Sequence, residues 1–146
     1  MVAVKWSWLN WANALKSATL SATGPSDPRA PATFGNTLTL GWRNQNVLAI
    51  GIEGALSEST LLRGGFNYGS NPVSSQYVNP LLALIGESHL TAGISRRFAK
   101  TWSFDAGLEY LLPASVTYTN PQLPFGPNAR ERLNYIALNL AVTRTW

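Results

Sequence analysis

Trp102-Ser-Phe-Asp-Ala-Gly-Leu-Glu-Tyr-Leu-Leu112 is the stretch from which the rest of the chain can be read. Side chains along a β-strand point alternately to its two faces. One face of this stretch therefore carries Trp102, Phe104, Ala106, Leu108, Tyr110 and Leu112, and the other carries Ser103, Asp105, Gly107, Glu109 and Leu111. Strict alternation over this length predicts a strand with one greasy side and one largely polar side.

The same pattern recurs on both sides of it. Downstream, Ile136, Leu138, Leu140, Val142 and Trp146 share one face, with Tyr135, Ala137, Asn139, Ala141 and Thr143 on the other. Upstream, Leu90, Ala92, Ile94 and Phe98 alternate with His89, Thr91, Gly93, Ser95 and Arg97. Asn46–Leu56 and Leu61–Ser70 follow suit, and Met1–Trp8 and Leu15–Ala22 do so more faintly. About seven strands result, each near the roughly 9–11 residues that a tilted membrane strand needs.

The connections sort into two classes. Ser57–Thr60 and Ala99–Thr101 are tight turns, and Leu9–Asn13 is expected to be a third. Thr23–Asn36, Asn71–Glu87 and Pro113–Arg130 are long, and the prolines fall in them. A soluble sandwich has no reason to sort loop lengths between opposite strand ends, whereas outer-membrane barrels place short turns in the periplasm and long loops outside. The expected fold is therefore all-β: an antiparallel transmembrane β-barrel, here partial. Trp146, ending an alternating last strand, puts the short turns on the periplasmic side.

Composition agrees. Hydrophobic residues make up 45% of the chain and charged residues 12%, about half the usual charged share of a soluble domain. No run approaches the roughly 18 apolar residues of a membrane helix. Cysteine is absent, which excludes disulfides and thiolate metal sites. The net charge of +4 is spread along the chain without the clustered basic face of a nucleic-acid binder. Met1–Trp8 already alternates where a signal peptide would show a basic stretch and an apolar block, so residues 1–146 are expected to be the C-terminal part of a longer protein.

Trp42-Arg-Asn-Gln-Asn-Val-Leu-Ala-Ile-Gly-Ile-Glu-Gly54, a short turn, Leu62-Arg-Gly-Gly-Phe-Asn-Tyr68 and Asn71-Pro-Val73 together resemble the FadL-type long-chain fatty acid transporters. The hairpin Leu90-Thr-Ala-Gly-Ile-Ser-Arg-Arg-Phe98 with Trp102–Tyr110 is similar to that family too, as is Val4-Lys-Trp6 with Trp8 and Trp11. The resemblance covers nearly the whole chain but only the back half of such a transporter. It implies about seven strands of a fourteen-stranded barrel, with the N-terminal hatch and first strands missing from this stretch. It also implies passive inward transport of long-chain fatty acids or aromatic hydrocarbons across the bacterial outer membrane, without cofactor or catalysis. Implied partners are the hydrophobic ligand, outer-membrane lipids and lipopolysaccharide, and the barrel-assembly machinery acting through the last strand. Arg144 departs from the family, which more usually has an aromatic near the end.

The candidate lumen-lining residues are Glu53, Arg63, Asn67, His89, Arg97, Asp105, Glu109, Tyr135 and Asn139. An arginine facing lipid at mid-membrane costs on the order of 2–4 kcal/mol, so charge belongs on the inner face. Glu53 is expected opposite Arg63 across a hairpin, and Arg97 diagonal to Asp105. Such residues form a polar track for a carboxylate head group or a bracing ion-pair network, and the sequence leaves both open. His89 with Ser88, Ser95 and Asp105 has the residue types of a hydrolase triad but no nucleophile-elbow glycine pattern.

Trp6, Trp8, Phe98, Trp102, Tyr110 and Trp146 are the expected membrane-interface aromatics, with Trp11 beside them. Arg29, Arg43, Arg130 and Arg132 fall in or beside the long loops, where they are either lipopolysaccharide contacts or solvated charge. Leu81–Ile85 is expected to be a landing site for ligand or a loop-packing segment. The alternatives to transport are a non-transporting structural or adhesive barrel, and a soluble lipid-binding sandwich.

Overall fold

The computed structural model describes residues 1–27, 29–79, 85–121 and 128–146. Its elements are β1 (Val2–Leu9), a single helical turn α1 (Trp11–Ala14), β2 (Ser17–Thr23), β3 (Thr33–Thr39), β4 (Gln45–Ser57), β5 (Thr60–Gly69), β6 (Ser88–Arg97), β7 (Trp102–Thr117) and β8 (Arg130–Arg144). Six strands form one antiparallel sheet in the order β1-β4-β5-β6-β7-β8, and β2 pairs with β3 in a separate hairpin. The chain is all-β and antiparallel. Among the described residues the sheet is open, with β1 and β8 at its edges.

The register explains the alternation. Directly opposed residues in an antiparallel pair share a face, so each cross-strand row is of one kind. Val4, Ile50, Phe66, Leu90, Tyr110 and Ile136 form one row across all six strands. Val2, Ile52, Gly64, Ala92, Leu108 and Leu138 form the next. The rows between them, on the other face, read Ala3, Gly51, Gly65, Thr91, Glu109, Ala137 and, one step along, Glu53, Arg63, Gly93, Gly107, Asn139. One face is thus continuously apolar and the other small or polar. A one-residue slip in any pair would exchange the two.

The apolar face is uncovered. Interior positions such as Ile50 and Leu108 are 41% and 46% exposed, and the edge positions Val4 and Ile136 rise to 65% and 69%. The buried core lies elsewhere, among the long connections. Val73, Val78 and Tyr118 are buried together, with Trp42, Tyr77, Val116 and Ala129 packed against them. Backbone bonds from Arg43 to Pro72 (2.8 Å) and from Thr119 to Ser75 (3.1 Å) tie three connections into one knot. Gly41 makes the close approach possible: its φ is +53°, and a Cβ there would lie 2.4 Å from the Tyr77 ring.

The structure corrects the expected layout in three places. Leu9–Asn13 is not a tight turn returning to a neighbouring strand. It begins, through α1, an excursion that carries the β2–β3 hairpin, and β1 pairs with β4 instead. Trp6 and Trp8 therefore stand toward the long-connection end, Trp8 opposite Asn46, and not at a short turn. The second correction is the count: Thr33–Thr39 is a strand that begins inside the supposed loop Thr23–Asn36 and runs past it, which makes eight strands among the described residues, not seven. Third, β7 does not stop before Pro113. A register shift between Leu111 and Ala114 absorbs the proline, which has no N–H to give to the ladder, and the strand continues to Thr117. Within the six-stranded sheet, loop lengths still alternate strictly, with residues 58–59 and 98–101 at one end and 10–44, 70–87 and 118–129 at the other.

Candidate functional site

The polar face is a trough with a floor of minimal side chains. Gly51 stands directly opposite Gly65, and Gly93 opposite Gly107. Ala3, Ala49, Thr91 and Asn67 extend this floor, and Lys5, Glu53 and Arg63 rise along it. The open volume above it is about 590 Å³, in the range of sites that accept drug-sized or lipid-sized ligands. The floor tolerates little added bulk: a Cβ on Gly65 would lie 2.7 Å from Thr91 Oγ1 and 3.3 Å from the Ile50 carbonyl.

Two polar clusters border the trough. Toward the short turns, Arg63 Nε donates to Glu53 Oε2 at 2.7 Å, and a second guanidinium nitrogen donates to Ser95 Oγ. Ser95 in turn donates to Asp105, whose carboxylate lies 3.9 Å from Arg63. One arginine thus gathers two carboxylates from strands on either side of it. These side chains remain about a third to a half exposed, so screening holds each pair to roughly 0–1 kcal/mol. Toward the long connections, Tyr135 Oη donates to Glu109 Oε1 at 2.8 Å, and His89 Nδ1 meets the same oxygen at 2.6 Å. The His89 and Tyr135 rings meet edge to face at 6.2 Å.

Every candidate lumen residue falls on this one face. Glu53 and Arg63 are opposed as expected. Asn67 is opposite His89, and Asn139 is opposite Gly107. Arg97 is diagonal to Asp105, but it stands opposite Ser103, and the ion pair of Asp105 is made with Arg63. From the sequence Ser95 stood only among the triad residue types; its link between Arg63 and Asp105, and the opposed glycines of the floor, come from the structure. Alternation had set Ser95 and Gly93 on the correct face, but only the pairing register brings them to their partners.

The triad types are kept apart. Ser95 and His89 lie six residues apart on one strand, roughly 20 Å. Ser88 is opposite Tyr68, on the apolar face. No Ser–His–Asp geometry forms among these residues.

The aromatics expected at a membrane interface divide between the two ends of the sheet. Phe98 and Trp102 stack at 6.4 Å beside the short turn, and Arg144 lies over the Trp102 and Trp146 rings at 5.4 and 3.9 Å. Trp6 and Trp8 lie toward the long connections, where Trp11 meets Trp42 edge to face at 5.8 Å. Tyr110 is in mid-strand and not at a strand end, because β7 runs on to Thr117.

Of the loop cations, Arg29 is satisfied locally. It pairs with Asp27 at 3.1 Å, and its hydrogen bonds hold that carboxyl below the usual aspartate range. Arg130 donates to Ser115 at 3.0 Å, and Arg130 and Arg132 share the outward parity of β8. Tyr118 donates to Glu131 at 2.5 Å. Burial, reinforced by that carboxylate, pushes its phenol up to about 12. In the apolar loop segment Leu81–Ile85, residues 81–84 lie outside the described residues. Ile85 is buried, and the adjoining Gly86 closes on Leu111 so tightly that a Cβ would lie 2.8 Å from Cδ1. No protein-family model and no curated protein matches the chain.

Proposed function

We propose that this chain forms part of the wall of a transmembrane β-barrel in the bacterial outer membrane. Its proposed role is the passive uptake of long-chain fatty acids or related hydrophobic compounds, aromatic hydrocarbons included. The observation that carries the reading is the unbroken apolar face across six strands, uncovered by any described part of the chain, backed by a polar face with a side-chain-poor trough. Water is a poor solvent for such a face, and acyl tails are a good one.

Dimensions support it. Arg132 and Arg144 stand twelve positions apart on the outward parity of β8. At roughly 3.3 Å per residue and a tilt of about 40° they are separated by about 30 Å along the membrane normal, the thickness of a bilayer's hydrocarbon core. Between them on that face come Asn134, Ile136, Leu138, Leu140 and Val142. No described strand residue on the apolar face is acidic: Glu53, Asp105, Glu109 and Glu131 all take the opposite parity.

In this reading the acyl chain passes along the glycine floor, and Lys5, which lines the trough and makes no ion pair among the described residues, offers a cation to a carboxylate head group. The strand-bridging network Glu53–Arg63–Asp105 also favours a second reading, a barrel that is braced but does not transport. Both are tested on the full chain folded into vesicles. Spin labels at Leu108 and Leu138 should collide with dissolved oxygen, and labels at Asp105 and Asn139 with a water-soluble nickel chelate. Oleate should reach an entrapped fluorescent reporter faster than in empty vesicles. Reversed label accessibilities would overturn the membrane reading, and correct accessibilities without accelerated oleate entry would leave the non-transporting barrel.

A further inference from the structure

The short-turn rim of the apolar face carries cations where the rest of that face carries none between the rims. Arg96 stands opposite Phe104, and Arg144 stands opposite Trp102, two positions away on the same strand. Both arginines have the parity of the apolar face. The Arg144 guanidinium lies over two indole rings, 5.4 Å from the Trp102 centroid and 3.9 Å from that of Trp146. Phe98 extends the aromatic platform by stacking on Trp102 at 6.4 Å. Lys100 sits in the adjoining turn.

Stacking engages the faces of a guanidinium and leaves its in-plane N–H donors free for a bidentate acceptor. Nothing among the described residues fills that role. Among the described residues, Arg96, Lys100 and Arg144 make no ion pair, and the four pairs formed lie elsewhere. Glu53 and Asp105, the nearest strand carboxylates, are on the other face and committed to Arg63. Glu58 is the one acid in the two short turns, and it forms no ion pair among the described residues. An amphipathic aromatic ring prefers the level where acyl chain meets head group. The phosphate of a glycerophospholipid lies just beyond that level.

We infer that Arg96, Trp102 and Arg144 form a site for the phosphate of an anionic glycerophospholipid in the leaflet facing the short turns. The inference rests on the membrane reading proposed above. Arg144 and Arg96 supply donors from two strands, with Phe104 between them against the acyl chains, and Trp102 and Trp146 hold Arg144 in place. A zwitterionic lipid presents the same phosphate but brings its own cation, which these arginines repel. The site therefore selects by net head-group charge. A cation near a charged leaflet is worth about fivefold in binding.

The test uses the full chain folded in detergent and examined by native mass spectrometry with equal amounts of phosphatidylglycerol and phosphatidylcholine. Wild type should retain phosphatidylglycerol at least about fivefold over phosphatidylcholine. The R96Q/R144Q variant should fall to parity, and R96K/R144K should recover most of the preference, which separates lost charge from lost fold. Parity in wild type, or a preference unchanged in R96Q/R144Q, overturns the site. Loss of the lipid adduct to excess inorganic phosphate also overturns it, in favour of a soluble-anion site. Vesicles with brominated acyl chains report the membrane reading separately. Tryptophan fluorescence should be quenched in wild type and in R96Q/R144Q alike. Quenching in both without selectivity rejects the site alone, and absence of quenching in both rejects the membrane reading with it.

Discussion

Leu138 lies in the middle row of the apolar face, Val142 four positions nearer the short-turn rim, and Asn139 on the opposite face beside Gly107. Replacing each in turn by arginine probes what solvent surrounds β8. If acyl chains cover the apolar face, Leu138→Arg places a cation near the midplane and destabilises the folded state by about 2–4 kcal/mol. Val142→Arg lies about 13 Å further along the strand, or about 10 Å nearer the head groups after a tilt of about 40°. It lies beside the row of Arg144, and its cost should drop to about 0–1 kcal/mol. Asn139→Arg enters the trough, where neighbouring glycines leave room and water, and should cost less than about 0.5 kcal/mol. The measurement is reversible denaturant unfolding of the vesicle-folded protein, followed by tryptophan fluorescence. A soluble sheet would show no dependence on depth. Equal costs for Leu138→Arg and Val142→Arg, or a larger cost for Asn139→Arg than for Leu138→Arg, would refute the assignment of faces.

The Glu53–Arg63 pair is half-exposed, so a double-mutant cycle with E53Q and R63Q should return a coupling of about 0.2–1 kcal/mol; a coupling above about 3 kcal/mol would mean a dry surrounding and no wet trough. Gly41→Ala forces a Cβ toward the Tyr77 ring at a positive φ, and should destabilise the loop knot by about 1–3 kcal/mol. Faster proteolysis near residues 71–78 with an unchanged strand signal in circular dichroism would show it. The Tyr118 phenol is raised in the folded loops, so they hold its proton more tightly than the open chain does. Its contribution is intact below pH 10 and lost as pH rises through about 12, and Tyr118→Phe should remove that alkaline step in tryptic cleavage at Arg130. Gly51→Leu should slow oleate entry several-fold without unfolding the sheet, since a Cβ there meets only the Gly64 carbonyl at 3.9 Å and the side chain would stand in the trough; unchanged entry would move the ligand path off the glycine floor.

The faces of the strands were legible in the sequence because a period of two reports which residues point together. The parity of Trp102–Leu111 survives intact in the sheet, and counting outward from the short turn placed Glu53 opposite Arg63. A tight turn fixes register locally, which is why hairpin partners could be read. Partners across long connections could not. Nothing in Val2–Leu9 announces that it pairs with β4 and not with the strand after the next bend, because that choice depends on contacts about 40 residues apart. Thr33–Thr39 carries no legible strand signal, because three prolines precede it and its threonines, Gly35 and Asn36 dilute the alternation. Pro113 looked like a strand end because its missing N–H breaks a ladder, and a bulge resolves that conflict in a way composition does not reveal. At the site, residue types identified the charged members. The Ser95 link and the paired glycines became visible only once three strands were set side by side.

The six-stranded sheet has one further consequence, which comes from counting. With every neighbour antiparallel, β1 and β8 run in opposite directions. Any ring that incorporates this sheet and keeps that alternation must gain an even number of strands, whether from the same polypeptide or from another molecule. An odd addition would force one parallel seam, with its slanted and slightly weaker bonds.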